Sequence, residues 1–322
     1  MDTLQFDNIE TIEAFEEQSS SNDQFLQANT KPVSMEHIKE DCIIPVFAKD
    51  NESTVAHSQF IEVVQDAVQN AFSQETVLSP AIRVSHPIKG RIPDAVGKPA
   101  STLTEDEKTV YYERMAFIIE IPSIRDTISG SELSLTVGGV RAYNQENLYS
   151  KRTFEKFKFF IGFKNQVCTN LCISTDGCLD EIKVASTEEL HSKILEVITQ
   201  FNGRELLKQY EHFKDYSLTE KQFAQLVGRT RMYQFLPQSE SKGITQFPLM
   251  DTQVSMITKA FYKDKNFKGS EDGIDFWRLY NLFTGANKSS YIDSFLKRGV
   301  GSFGFIQHLM SSMEGNPSWY LS

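Results

Sequence analysis

The chain has 322 residues, 40% hydrophobic and 11% aromatic, enough to bury a full core; this excludes a disordered protein and predicts one large domain or two small ones. The formal charge of -10 looks hostile to nucleic acid, yet residues 1–56 hold twelve Asp or Glu against three Lys, leaving thirty-one acids and thirty bases in residues 57–322. Four cysteines, Cys42, Cys168, Cys172 and Cys178, are too few for a disulfide scaffold and are expected as free thiols. The longest strongly apolar run, Met115 to Ile121, is far below the roughly 18 residues of a membrane span. The acidic opening lacks the basic start and apolar run of a secretory signal. The expectation is a cytoplasmic protein with no membrane partner.

In chain order, residues 1–50 are acidic and rich in Ser, Asn and Gln, and are expected as a flexible arm ahead of a single domain over 51–322. Phe60, Val63, Val64, Ala67, Val68 and Ala71 have the spacing of one helix face, with Ser58 as its N-cap. Pro and Gly between Val77 and Pro99 predict short strands joined by loops. Met115 to Ile121, Glu132 to Tyr143, Phe154 to Lys164, Val167 to Thr175 and Cys178 to Ala185 are rich in β-branched or aromatic residues and read as strands. Asp176-Gly177 is a favoured hairpin dipeptide and predicts that the last two strands pair antiparallel.

After Ala185 the period becomes helical. Ser186 with Glu189 caps a helix carrying Leu190, Ile194, Val197, Ile198 and Phe201. Further helices are expected from Ser217, from Asp251 or Thr252, over Asp275 to Phe283, and from Ser290, the last ended by Gly299. The fold class is therefore α+β, with an antiparallel sheet over about 77–185 and a helical second half over about 186–310.

Cys168, Cys172 and Cys178 with His191 invite a zinc reading. On one strand Cys168 and Cys172 would stand about 13 Å apart, against roughly 4 Å for thiolates sharing a zinc, so neither metal nor cofactor is expected. Gly285 to Ser290 resembles a phosphate loop but lacks two of its glycines. It reads as a helix-to-helix turn, with Lys288, Ser289 and Ser290 as a weak anion site. The strand Lys156 to Lys164 alternates Phe157, Phe159, Ile161 and Phe163 with Lys156, Lys158, Phe160, Gly162 and Lys164. Lysines around an exposed ring are what single-stranded nucleic acid binding uses, so Arg141, Arg152, Lys156, Lys158, Phe160 and Lys164 are the candidate contacts. No nucleophile–base or metalloprotease motif and no dinucleotide fingerprint is present, so enzymatic activity has no support from motifs.

Several strings together carry a resemblance: Ser85-His86-Pro87-Ile88-Lys89-Gly90-Arg91, Tyr111-Tyr112-Glu113-Arg114-Met115, Gly138 to Asn144, Val167-Cys168-Thr169-Asn170-Leu171-Cys172, Gly228 to Tyr233, and Tyr280 to Ser290. The chain resembles domain-of-unknown-function family 3871 over residues 30 to the C-terminus, and more distantly a phage- and plasmid-like family of unknown function. Neither family supplies catalytic residues; the resemblance implies a mobile-DNA setting. The expected function is a non-enzymatic accessory protein that binds single-stranded or double-stranded DNA. A protein-interaction module using an apolar groove of the helical half is the alternative, and an unrecognised enzyme a third reading.

Overall fold

Strands fill the first half of the chain and helices the second, the α+β arrangement expected. The computed structural model describes residues 25–46, 55–143, 155–184 and 186–322. Residues 25–46, expected within the acidic arm, belong instead to the folded body as β1 (Lys31–Val33), α1 (Met35–Glu40) and β2 (Ile44–Pro45), because Phe25, Leu26, Ile38 and Cys42 are buried. Residues 1–24 lie outside the described residues.

The next helix, α2 (His57–Ala71), buries Phe60, Ile61, Val64, Ala67 and Val68 on the predicted face. It starts one residue before Ser58, with the Gln59 side chain accepting from the Ala56 amide at 2.8 Å. Residues expected as several short strands form one strand, β3 (Ala81–Arg91), which absorbs Pro87 through a left-handed residue at His86 (φ 58°). Three longer strands follow, β4 (Lys108–Ile128), β5 (Ser131–Ala142) and β6 (Glu155–Asn165), all antiparallel in the order β3-β4-β5-β6.

The Asp176-Gly177 hairpin is overturned. Both β7 (Leu171–Cys172) and β8 (Cys178–Val184) pair with β6, Cys172 facing Phe163 and Cys178 facing Phe160. The turn is present, with the Cys178 amide on the Thr175 carbonyl at 3.1 Å, but it interrupts one edge strand rather than reversing the chain. Gly177 is required for close approach: its carbonyl accepts from the Ile161 amide at 2.7 Å, and a Cβ there would strike Ile161's own carbonyl.

The helical half comprises α3 (Thr187–Gln200), α4 (Gly203–His212), a strand β9 (Ser217–Leu218), α5 (Glu220–Tyr233), α6 (Gln238–Ser241), α7 (Asp251–Lys263), a strand β10 (Ile274–Asp275), α8 (Phe276–Asn287) and α9 (Ile292–Met313). Ser186 caps α3 through the Glu189 amide as expected. Thr219, not Ser217, caps α5, because Ser217 is engaged in the β9–β10 pair. Tyr291 rather than Ser290 precedes α9, and Gly299 is buried inside that helix instead of ending it. The last turn of α8 and the start of α9 approach closely there, a Cβ on Gly299 standing 3.4 Å from Asn287.

Both faces of the sheet are covered. On one, Phe60 of α2 packs on Phe117 and Phe157, with ring centroids 5.2 and 4.8 Å apart. Gly139 of β5 makes room for it, since a Cβ would lie 2.5 Å from the Phe60 ring. On the other face Ala116, Ile118, Val140 and Phe160 meet Phe25, Leu26, Ile292, Phe295 and Leu296 in a second apolar cluster. A sheet buried on both faces leaves no open side in its centre.

Candidate functional site

The two-sided burial decides the fate of the expected basic face. Phe160 is 1% exposed, inside the second cluster. Lys164 is 1% exposed and its ammonium lies 2.8 Å from Glu120, whose other oxygen accepts from Ser134 at 2.9 Å and Gln166 at 2.7 Å. Arg141 is fully buried, bonded to Glu155 at 2.5 Å and stacked on the Tyr143 and Phe157 rings at 4.3 and 4.5 Å. These three residues are therefore corrected from surface contacts to internal supports. Lys156 and Lys158 remain partly exposed at the edge, held by Glu181 at 2.6 Å and Asp180 at 2.9 Å. Arg152 lies outside the described residues.

The expected anion site is occupied by the protein's own groups. The amides of Lys288, Ser289 and Ser290 donate to the carbonyls of Gly285, Ala286 and Asn287, completing the helical turn. The Ser289 hydroxyl donates to Ala286 O and that of Ser290 to Asn287 Oδ1, each at 2.7 Å. No row of open amides is left for a phosphate. Lys288 reaches away from the turn, 8% exposed, and donates to the Cys168 carbonyl and, at 2.7 Å, to Thr169 Oγ1.

That reach marks a cleft where β6, the loop before β7, α7 and α8 converge. β6 ends in Asn165, whose amide donates to Asn281 Oδ1 at 3.0 Å and accepts from the Val167 amide at 2.9 Å. These bonds, with Thr169 N on Asn165 O at 2.8 Å, fold the loop into a tight turn with Thr169 left-handed (φ 56°). Asn170 follows and donates to the Asn281 backbone carbonyl at 2.9 Å. The cleft has a volume of about 250 Å³, with Met256, Phe267 and Leu282 on its apolar wall; Lys288 and Asp264 are its charged groups, and Asn170, Asn281 and Gln27 its neutral polar ones. Burial pulls the Lys288 ammonium below its ordinary value and pushes the Cys168 thiol beside it up to about 11, so Cys168 is a poor nucleophile. Cys172 and Cys178 are held on the β6 edge and His191 faces Asp66 at 3.1 Å. Among the described residues no three His, Cys, Asp or Glu are grouped to hold a metal.

The C-terminal end of α7 stands beside this cleft. Met256, Ala260 and Lys263 follow the i, i+4, i+7 stripe along it. Lys259, Lys263, Lys265 and Lys268 are exposed, and none has a carboxylate partner among the described residues. Tyr262 among them is 60% exposed, its hydroxyl donating to Glu220 at 2.6 Å. Residues 259–268 hold four lysines against one acid, Asp264, so this segment is locally basic on an acidic protein. Neither the α7 lysines nor Asn170, Asp264 and Asn281 were singled out as site residues in the sequence; the only hint was that Asn170 and Asn281 lie in strings that carry the family resemblance.

A sheet sealed on both faces, a helical layer and a polar cleft at their junction define an α+β protein. The family described as "Domain of unknown function, B. Theta Gene description (DUF3871)" matches residues 6–321, and the chain belongs to it. No curated protein and no solved structure matches the chain. Among the described residues no helix is long and apolar enough to cross a membrane.

Proposed function

We propose that this protein is a non-enzymatic, cytoplasmic accessory protein of a mobile DNA element that binds nucleic acid through the basic end of α7. The observation that carries the reading is the group Lys259, Lys263, Lys265 and Lys268, exposed and without carboxylate partners among the described residues, in the same segment as the exposed ring of Tyr262. Ammoniums of this kind track phosphates, and an exposed ring supplies a stacking platform for an unpaired base. Lys156 and Lys158 each face a carboxylate and carry less free charge toward a strand. The mobile-element setting rests on the distant likeness to phage- and plasmid-like proteins.

The test is binding to a labelled single-stranded oligo-dT and to a duplex across a salt series. The quadruple alanine variant of Lys259, Lys263, Lys265 and Lys268 is expected to lose binding, and single alanine variants to flatten the salt slope by about 0.7 for each phosphate contact removed. A Lys156→Ala, Lys158→Ala pair is expected to bind nearly as the parent does. No binding at low salt by the parent protein overturns the reading.

A second reading, a protein-interaction module, is favoured by one feature at the other end of the α5–α7 pair. Phe235 is 86% exposed beside Met232 and Met250, where Arg231 joins Asp251 at 3.1 Å. A concentration-dependent oligomer that Phe235→Ser dissolves would establish it.

A further inference from the structure

The cleft beside α7 contains opposite charges that do not meet. Lys288 and Asp264 both line it, each acting electrostatically on Cys168, yet no ion pair joins them among the described residues. Lys288 spends two N–H bonds on Cys168 and Thr169 and keeps a third. Asp264 Oδ1 accepts from the Asn266 and Phe267 amides at 2.8 Å each, which leaves Oδ2 open. Asn170, 2% exposed, donates one N–H to Asn281 and keeps its carbonyl oxygen and second N–H. Gly285 bares that amide: a Cβ there would stand 3.6 and 3.7 Å from its two polar atoms.

The occupant must therefore offer acceptors to a buried cation and donors to a carboxylate, on a flat body that fits against Phe267 and Leu282. At about 250 Å³ the cleft is below the roughly 300–1,000 Å³ of drug-sized pockets and suits one ring system rather than a stacked pair. Guanine has this edge: O6 and N7 accept, which suits Lys288, and the adjacent N1–H and N2–H₂ can share the open Oδ2 of Asp264. Adenine and uracil present a single N–H-bearing position on that edge, and cytosine places its amino donor without an adjacent ring N–H. Met256, Ala260 and Asp264 line the cleft, and the exposed Lys263 precedes Asp264 in the chain, so an ammonium is available close to the site for the phosphate of a nucleotide.

We propose that the cleft is a guanine-binding site, filled by a guanine mononucleotide or by one unstacked guanine of a single strand. The proposal deepens the nucleic-acid reading, on which its strand-bound form rests, by naming the base. A free amino acid would also bridge a lysine and an aspartate, but the exposed lysines of residues 259–268, without carboxylate partners among the described residues, favour a phosphate-bearing ligand.

Calorimetric titration of the full chain with GMP, AMP, CMP and UMP tests it, beside oligo-dT with and without one central dG. GMP is expected to bind at least about tenfold more tightly than the other three. Asp264→Asn keeps Oδ1 for the two amides and is expected to abolish that preference at an unchanged melting temperature. Gly285→Leu is expected to block all four nucleotides. Equal affinities, absence of GMP binding, or a preference that survives Asp264→Asn overturns the proposal. Oligo-dT binding with neither a gain from the dG nor a GMP preference retires the guanine cleft and leaves the basic surface; GMP binding without oligonucleotide binding supports the cleft and retires the surface.

Discussion

Lys164 and Glu120 form an ion pair of 2.8 Å inside the sheet, with the lysine side chain 1% and the glutamate 9% exposed. The pair is bracketed by Ser134 and Gln166, which complete the acceptor valences of the carboxylate. Removing one partner strands a buried charge. Lys164→Met is expected to destabilise by about 3–5 kcal/mol, and adding Glu120→Gln to recover part of that loss. Urea unfolding of the single and double variants measures both; additive losses would show that the two charges act independently.

His57 is buried at the start of α2, its Nε2 on the Tyr112 carbonyl at 2.8 Å and its ring 4.6 Å from Tyr111. Burial, reinforced by the nearby Arg141 guanidinium, lowers its pKa from 6.5 to about 3. The unfolded chain then binds a proton that the folded chain refuses, so stability is complete above pH 6.5 and falls as the pH drops toward 3. The loss is expected at about 1.4 kcal/mol per pH unit within that window. Between pH 7 and pH 5 the parent protein should lose more stability than His57→Gln, and equal losses would remove this assignment.

Gly139 occupies the seat of the Phe60 ring. Gly139→Ala is expected to cost about 1–3 kcal/mol through overpacking, seen as a lower urea midpoint at an unchanged slope. An equal or higher midpoint would mean that the ring can retreat without loss.

The thiols are predicted to be slow to alkylate in the native state. Burial raises Cys42 and Cys178 to about 12 and Cys168 to about 11, and holds the fully buried Cys172 well above the ordinary thiol value. Iodoacetamide at pH 8 should label none of the four within minutes and all of them in urea. Rapid native labelling of Cys168 would show that its loop opens.

Residues 1–24 contain seven acids and no base. If they compete for the α7 lysines, deleting them tightens oligo-dT binding most at low salt. Unchanged affinity would dismiss the competition. The deletion ends at residue 24 because Phe25 and Leu26 are part of the core.

Elements governed by neighbours in sequence were legible. α3 was readable from Ser186 and its apolar stripe, and β5 and β6 from their β-branched and aromatic runs. The second covered face was not, because Phe295 and Leu296 reach Phe160 from more than a hundred residues away. The lysines of β6 imitate a solvent face, but that face is covered in the fold, and Lys164 finds its counter-ion in Glu120, two strands away. Asp176-Gly177 carries a true local turn signal. Pairing with β6, available to both flanking segments, prevails over the hairpin that the dipeptide favours. The cleft was invisible for the same reason of distance: Asn170 and Asn281 stand 111 positions apart and meet only in the fold.

The interrupted pairing along β6 has a counterpart at the far side of the sheet, where β1 and β2 lie on β3 as two separate short segments. Among the described residues, neither margin offers a long unbroken row of free amides and carbonyls to a second molecule. On the β8 side Asp180, Glu181 and Lys183 also set charges along the rim. Strand-to-strand accretion, the common hazard of a sheet this rich in Phe and Ile, is thus obstructed at both borders by discontinuity rather than by a covering helix.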